Sequence, residues 1–395
     1  MQESNVSTRI NTFSNEPITV KDIFKDNGNW KRYRFYHRNE LRDVEVAEVE
    51  KMLRCREEDN GCFTCYCSNC KEHHTIFLGC NSRICSHCGK RYTDKWAREL
   101  SKKMFDVPHR HFVMSIPSQL WPIILENRAL WKVEMDAAIR AINSVLRHYT
   151  RQNLIAGVIV VFHPFGRNLQ FNPHIHVLLT EGGFDRKGQF VNMWFFPARA
   201  MRRVWQYELL MGLKTELDDT AENRRLIDSL FKRYDEGFYV WLPKESRIKS
   251  KREMSRYVGR YVRHPAIADR RIIGYDGKKV RFWYKDREEV PHTVVMDVDE
   301  FIGAIIRHIP DRQFKMIRYY GAYCRKWVRK YRKLTGRSSI SQQKLDDFKE
   351  ERKERMFKCP NCGAVMEILL YQDRGPPNMS QLGELIDDWN VLCPT

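Results

Sequence analysis

Asn172-Pro173-His174-Ile175-His176-Val177-Leu178-Leu179 is the stretch on which the fold turns. Its histidines are separated by one apolar residue, and the aliphatic run after them marks a strand. Alternate side chains on a strand share a face, so His174 and His176 point one way and Ile175 and Val177 the other. Two neutral imidazoles side by side can hold one divalent metal. The preceding run, Ile155 to His163, reads as a buried strand. Pro164 to Pro173 is rich in turn residues and returns the chain as a hairpin or short excursion. His163 can then lie beside His174 across the ladder, a candidate third ligand. Gln170, Glu181 and Glu253 compete for that place.

Outward from this strand, His109 to Pro117 alternates as a strand, and Leu120 to Gln152 carries apolar residues at helical spacing. Ala198 to Leu213 reads as helix, Lys214 to Asp235 as a charged helix, and Gly237 to Pro243 as another strand. Asp276-Gly277 signals a hairpin turn before the strand Val280 to Tyr284, and Asp299 to Ile306 looks helical. This order predicts an α+β fold, an antiparallel sheet with helices packed on it.

The chain has 395 residues, enough for two or three domains. Its 69 Lys and Arg against 50 Asp and Glu give a formal charge of +19, which favours a polyanionic partner, nucleic acid before an anionic membrane surface. No apolar run is long enough to span a bilayer. The first residues carry no basic region followed by an apolar core, so a secretory leader is not expected and a reducing cytoplasm is.

Of the 12 cysteines, eight fall between Cys55 and Cys88, spaced like metal knuckles rather than a disulfide framework. Cys67-x2-Cys70 and Cys85-x2-Cys88 supply four thiolates for a tetrahedral zinc. Cys62-x2-Cys65 and Cys80, with Cys55, His73, His74 and His87 nearby, can build a second site. A four-cysteine shell leaves no open position, so such zinc is structural. Near the end, Cys359-Pro360-Asn361-Cys362-Gly363 resembles half a zinc ribbon, with Cys393 far off. One to three zinc sites follow from these spacings.

Three regions mix cations with aromatics. Lys31, Arg32, Arg34, His37 and Arg38 lie among Trp30, Tyr33, Phe35 and Tyr36, a composition that suits stacking and phosphate contacts with unpaired DNA or an ordinary amphipathic cap. Lys251 and Arg252 lead into Glu253 to Pro265, read as a helix. Tyr257 and Tyr261 share one face of it and are ringed by Arg256, Arg260 and Arg263. A fully buried tyrosine pair would not be flanked by so many cations, whereas a tyrosyl oxygen with its charge stabilised is a nucleophile toward phosphorus. Tyr319 to Arg337, with Arg325, Lys326 and Arg329, reads as a helical contact to the DNA backbone.

With His174-Ile175-His176 and Tyr257-x3-Tyr261 in hand, the chain resembles an HUH-superfamily two-tyrosine transposase of the insertion sequence 91 type, related to Helitrons. The zinc cluster, ending Gly79 to Cys88, is similar to that family's N-terminal zinc-binding domain, Gly157 to Gly183 to its metal strand region, and Tyr257 to Tyr261 with the following Ala266 to Ile272 to its nucleophile region. Asn172 stands where the family pattern leads one to expect a histidine, which leaves the third metal ligand open. The resemblance implies an antiparallel HUH nuclease core of ferredoxin- or RRM-like shape. It also implies Mg or Mn on the histidines, and nicking and joining of single-stranded transposon ends, hairpins and target sites through a 5′-phosphotyrosine. A prokaryotic, nucleoid-associated location goes with it. The expected organisation is a helical DNA-contacting region at 1–54, a zinc-binding domain at 55–105, the nuclease domain at 106–337, a charged linker at 338–358 and a zinc-ribbon-like tail at 359–395. Two rivals remain: a plasmid rolling-circle initiator or relaxase, disfavoured by the zinc cluster and the lack of a helicase motor, and a non-catalytic zinc-dependent nucleic-acid-binding regulator. The regulator explains the charge and the cysteines but not paired histidines followed by paired tyrosines.

Overall fold

The computed structural model describes residues 18–193, 195–242, 265–286, 288–334 and 357–372. Tyr257, Tyr261, Lys251, Arg252, Arg256, Arg260, Arg263, Glu253 and Cys393 lie outside the described residues.

Helices α1 (Val20–Lys25), α2 (Asn29–Tyr36) and α3 (Asp43–Leu53) open the chain. Thr19 caps α1: its hydroxyl accepts the Asp22 N–H while the Asp22 carboxylate accepts the Thr19 N–H. The hairpin β1 (Cys62–Cys67) and β2 (Glu72–Phe77) and the helix α4 (Ser86–Lys103) follow. Next come β3 (His109–Ser115), α5 (Trp121–Glu126), α6 (Leu130–Thr150), β4 (Gly157–Phe165) and β5 (Phe171–Thr180). A small ribbon of β6 (Gly182–Phe184) and β7 (Phe190–Asn192) leads to α7 (Ala198–Glu216), α8 (Ala221–Arg233) and β8 (Val240–Trp241). The chain continues through β9 (Ile272–Tyr275), β10 (Lys279–Lys285), β11 (Pro291–Asp297), α9 (Val298–Arg307), β12 (Ile317–Gly321), α10 (Val328–Leu334) and β13 (Glu367–Gln372).

The expected α+β plan is present. The main sheet has the order β12-β4-β5-β3-β8, with every neighbouring pair antiparallel. β5 is its centre. Ile175, Val177 and Leu179 on one face join Val158, Val160 and Phe162 of β4 and Phe112 and Met114 of β3. Helices α6 and α7 cover this face with Trp131, Ala138, Ile142, Trp205 and Leu209. Trp131 stacks on Phe162 with ring centroids 4.8 Å apart. Each such fully buried side chain contributes about 1.5–3 kcal/mol, which fixes the strand register and so the direction of the histidines on the other face.

Part of that other face is sealed by a smaller core, in which Ile159, Val161 and Leu178 meet Leu100, Met104 and Phe105 at the end of α4 and Tyr323 and Tyr331 near α10. A separate core joins α1, α3 and α9 to the three-stranded sheet β11-β10-β9. A fourth joins β1 and β2 to Phe357, Cys359 and Met366. No helix among the described residues is long and apolar enough to cross a membrane.

Three element readings need correction. The helix expected over Leu120 to Gln152 is two, because Asn127 turns extended (φ −109°, ψ 90°) and its side-chain oxygen accepts the Ala129 N–H. Tyr319 does not begin a helix: it lies in β12, an edge strand whose Tyr320 hydroxyl donates to Asp136. Gly321 ends that strand at φ +54°, where a Cβ would sit 1.9 Å from the Ala156 carbonyl oxygen. The strand β11 has no counterpart among the sequence expectations; its residues are mostly exposed, so no apolar alternation marks it.

Candidate active site and zinc clusters

The three histidines His163, His174 and His176 converge on the sheet face opposite α6 and α7, each offering a nitrogen within 4.8 Å of the others. The cause is register: His163 on β4 is the cross-strand partner of His174 on β5. His163 Nδ1 stands 3.1 Å from His174 Nε2. Two imidazole nitrogens on one ion with bonds of about 2.1 Å stand about 3.0–3.4 Å apart, so the spacing fits a shared metal. His174 Nδ1 lies 2.6 Å from the Asn172 carbonyl oxygen, which selects the tautomer with Nδ1–H donating and Nε2 as the lone-pair nitrogen. Asn172, the departure from the expected pattern, thus contributes through its backbone. Burial, then the neighbouring imidazoles His174, His111 and His163, hold the His176 pKa well below the ordinary histidine value. A neutral ring is the form a metal needs.

Of the other proposed third ligands, Glu181 and Gln170 point elsewhere. The Glu181 carboxylate accepts from Arg110 Nε at 2.8 Å, and Gln170 Oε1 accepts from Asn168. Arg325 and Lys326, in the turn after β12, and Arg329, in α10, are exposed. They flank Trp327 and Tyr331, which pack over the histidine side of the sheet. One residue was missed in the sequence. His111 on β3 is 2 % exposed, and its Nε2 lies 3.1 Å from His176 Nδ1. Burial pushes its pKa down to about 3. The signal was present: His111 shares parity with Ser115, the cross-strand partner of His174, once β3 is placed beside β5.

The cysteines pair differently from the reading by spacing. Cys55, Cys80, Cys85 and Cys88 form one cluster, and Cys67, Cys70, Cys359 and Cys362 another. Cys67 and Cys70 therefore do not share a site with Cys85 and Cys88. Cys85 and Cys88 sit at the first turn of α4, against the core of α3 and β9–β10, where Cys55 arrives from the end of α3. Cys67 and Cys70 close the β1–β2 turn. Their partners arrive because β13 pairs antiparallel with β1. The cysteines expected in a separate tail thus complete a ribbon begun near residue 67.

In the first cluster sulfur separations are 3.7 Å for Cys55–Cys88, 3.6 Å for Cys55–Cys85 and 3.8 Å for Cys80–Cys88. In the second they are 3.6 Å for Cys67–Cys362 and 3.8 Å for Cys70–Cys359. Thiolates at about 2.3 Å from a tetrahedral zinc stand about 3.8 Å apart, so both sets fit that ion and neither is a disulfide. The N–H groups of Cys70 and Ser82 point at the sulfurs of Cys67 and Cys80. Cys62 and Cys65 belong to neither cluster. They lie in β1, and burial pushes the Cys65 thiol up to about 11, as expected of an inert buried side chain.

A family model described as "Transposase zinc-binding domain" matches residues 26–116, and one described as "Putative transposase" matches residues 157–330. The "Transposase for insertion sequence element IS801" of Pseudomonas savastanoi pv. phaseolicola is 30% identical over 323 residues, 77% of this chain and 76% of that protein. The chain belongs to the insertion sequence 91 transposase family. This transposase is also similar to "Putative transposase y4qJ" of Sinorhizobium fredii (strain NBRC 101917 / NGR234), 25% identical over 392 residues, 91% of this chain and 97% of that one. Among solved structures, the "non-structural protein 1 N-terminal origin-recognition/nickase domain from the emerging human bocavirus" covers 60% of the transposase and 98% of its own chain, at 12% identity and a TM-score of 0.27, too distant a likeness to build on. The transposase match holds all three clustered histidines; the zinc-domain match holds six of the eight clustered cysteines but not Cys359 or Cys362. The transposase is thus a DNA-acting protein with structural zinc.

Proposed function

We propose that the transposase nicks and rejoins single-stranded DNA at the ends of its element through a metal-dependent 5′-phosphotyrosine, with His163, His174 and His176 as metal ligands and Tyr257 and Tyr261 as nucleophiles. The convergence of the three imidazoles carries this reading. Mg or Mn bound there supplies a Lewis acid that polarises the scissile phosphate. Among the described residues the cluster contains imidazoles alone, a donor set that suits Mn better than Mg.

A tyrosine phenol has an ordinary pKa of about 10, so it must be helped to lose its proton. Arg256, Arg260 and Arg263 stand in the same sequence run and stabilise the phenolate by charge. The phenolate oxygen attacks phosphorus, the P–O3′ bond breaks, and the departing oxygen takes a proton to become a 3′-hydroxyl. The bond energy stays in the phosphotyrosine, so attack by a 3′-hydroxyl rejoins the strand without a nucleotide cofactor. The second tyrosine can hold a second strand end. The described chain leaves the main sheet at Trp241, the cross-strand partner of Val113, which in turn faces His176, and Tyr257 follows sixteen residues later. An unpaired strand reaches a metal held on a sheet face more easily than a duplex does. Arg325, Lys326 and Arg329, on the histidine side, are the proposed backbone contacts among the described residues.

The test is nicking of labelled single-stranded and duplex DNA from the element end, with Mn, Mg or EDTA. Nicking of the single strand, abolished by EDTA and reduced at least about 1,000-fold by His174→Ala or His176→Ala with DNA binding retained, is the expected result. Undiminished nicking by the double alanine variant would remove the metal assignment.

A further inference from the structure

We propose that His111 is a positioning residue for the metal centre: its Nε2 accepts the His176 Nδ1–H and thereby presents His176 Nε2 as the coordinating nitrogen. This rests on the reading of His163, His174 and His176 as metal ligands. His111 lies on β3, one strand from His176, and its Nε2 is 3.1 Å from His176 Nδ1. The two rings are nearly parallel, 16° apart, with centroids separated by 5.3 Å. His111 is outside the set of three whose nitrogens lie within 4.8 Å of one another, so it acts through His176 and not as a fourth ligand.

The arrangement repeats what happens at His174. There the Asn172 carbonyl takes the Nδ1–H and leaves Nε2 toward His163. Each histidine of the His-x-His pair thus has its Nδ1 engaged by one acceptor, a backbone oxygen for His174 and an imidazole nitrogen for His176. In that pairing Nε2 is the nitrogen each residue keeps for the metal. An imidazole whose second nitrogen donates a hydrogen bond is fixed in tautomer and ring angle and is a more basic ligand. His111 is itself held on a strand whose neighbours are fixed on both sides, β5 and β8, and the Trp241 ring lies 6.1 Å from it, edge-on. The acceptor is therefore built into the sheet.

The substitutions that test this are His111→Gln, whose side-chain oxygen can stand near the place of Nε2 and accept, and His111→Phe, which fills the space and cannot. Mn binding is measured by electron paramagnetic resonance on the full-length protein without DNA, beside His176→Ala. Wild type is expected to bind. His111→Phe should bind about 10–100-fold more weakly, and His111→Gln within a few-fold of wild type, with the melting temperature of both near that of wild type. If wild type itself binds no Mn, the metal reading fails. If wild type binds and His111→Phe matches it, or His111→Gln loses as much as His111→Phe, the positioning role is overturned. Should His111→Phe not fold, nitrogen-15 histidine spectra of the Zn-loaded wild type decide. Metal on His176 Nε2 with a proton on its Nδ1 supports the role, and metal on Nδ1 ends it.

Discussion

Replacing Cys359 by serine tests the unexpected pairing of the cysteines. Cys359 is fully buried, with its sulfur 3.8 Å from Cys70, 289 residues earlier in the chain. Cys67, Cys70, Cys359 and Cys362 are expected to hold one zinc and Cys55, Cys80, Cys85 and Cys88 a second. A structural zinc contributes about 10–16 kcal/mol in small finger peptides. Phe357 and Met366, buried in the same ribbon, add about 1.5–3 kcal/mol each. Loss of one thiolate should therefore release the zinc and open β1, β2 and β13. The main sheet should persist, because its core shares no residue with the ribbon core. The assay is metal analysis of purified single and double variants. Cys359→Ser and Cys67→Ser should each retain one zinc, and together still one. Cys67→Ser with Cys85→Ser should retain none. If Cys67→Ser and Cys85→Ser instead removed the same single zinc, the pairing would be wrong.

Two further outcomes follow from the site and the core. Strand nicking should be faster with Mn than with Mg at equal concentration, by about tenfold, given an all-imidazole cluster; equal or greater rates with Mg would point to a carboxylate ligand. Glu134 of α6 is fully buried, with neither carboxyl oxygen partnered among the described residues, and burial raises its pKa well above the usual 4.5. The unfolded chain ionises this group near its ordinary value while the folded chain keeps it protonated, so its contribution to stability falls as pH rises above that value. Glu134→Met should stabilise by about 1–3 kcal/mol at pH 5, and the gap in melting temperature should widen toward pH 8; a gap that narrows with pH would contradict this.

How far the sequence could be read follows from how local each signal is. The His174–His176 strand and the placement of His163 were legible because a period of two and a short hairpin settle both faces and register. The α+β plan followed from the same alternation. The zinc pairing was not legible: spacing groups cysteines that are close in sequence, whereas Cys359 and Cys362 come through β13 onto β1. Tyr319 and Tyr320 were misread because basic residues just beyond them repeat at helical spacing, while the strand itself is short and on an edge. His111 was overlooked because its role depends on which strand lies beside β5, a non-local fact.

The measurement that bears most directly on the central claim is a covalent-adduct assay. Purified transposase is mixed with single-stranded DNA from the element end and Mn, and the products are run on a denaturing gel beside Tyr257→Phe, Tyr261→Phe and the double variant. A protein–DNA adduct that needs metal, is lost in His176→Ala, and disappears in the double tyrosine variant is the predicted result, with the single variants naming the first nucleophile. An adduct that survives the double variant, or tight binding of the cognate strand with no adduct under any metal, would contradict it.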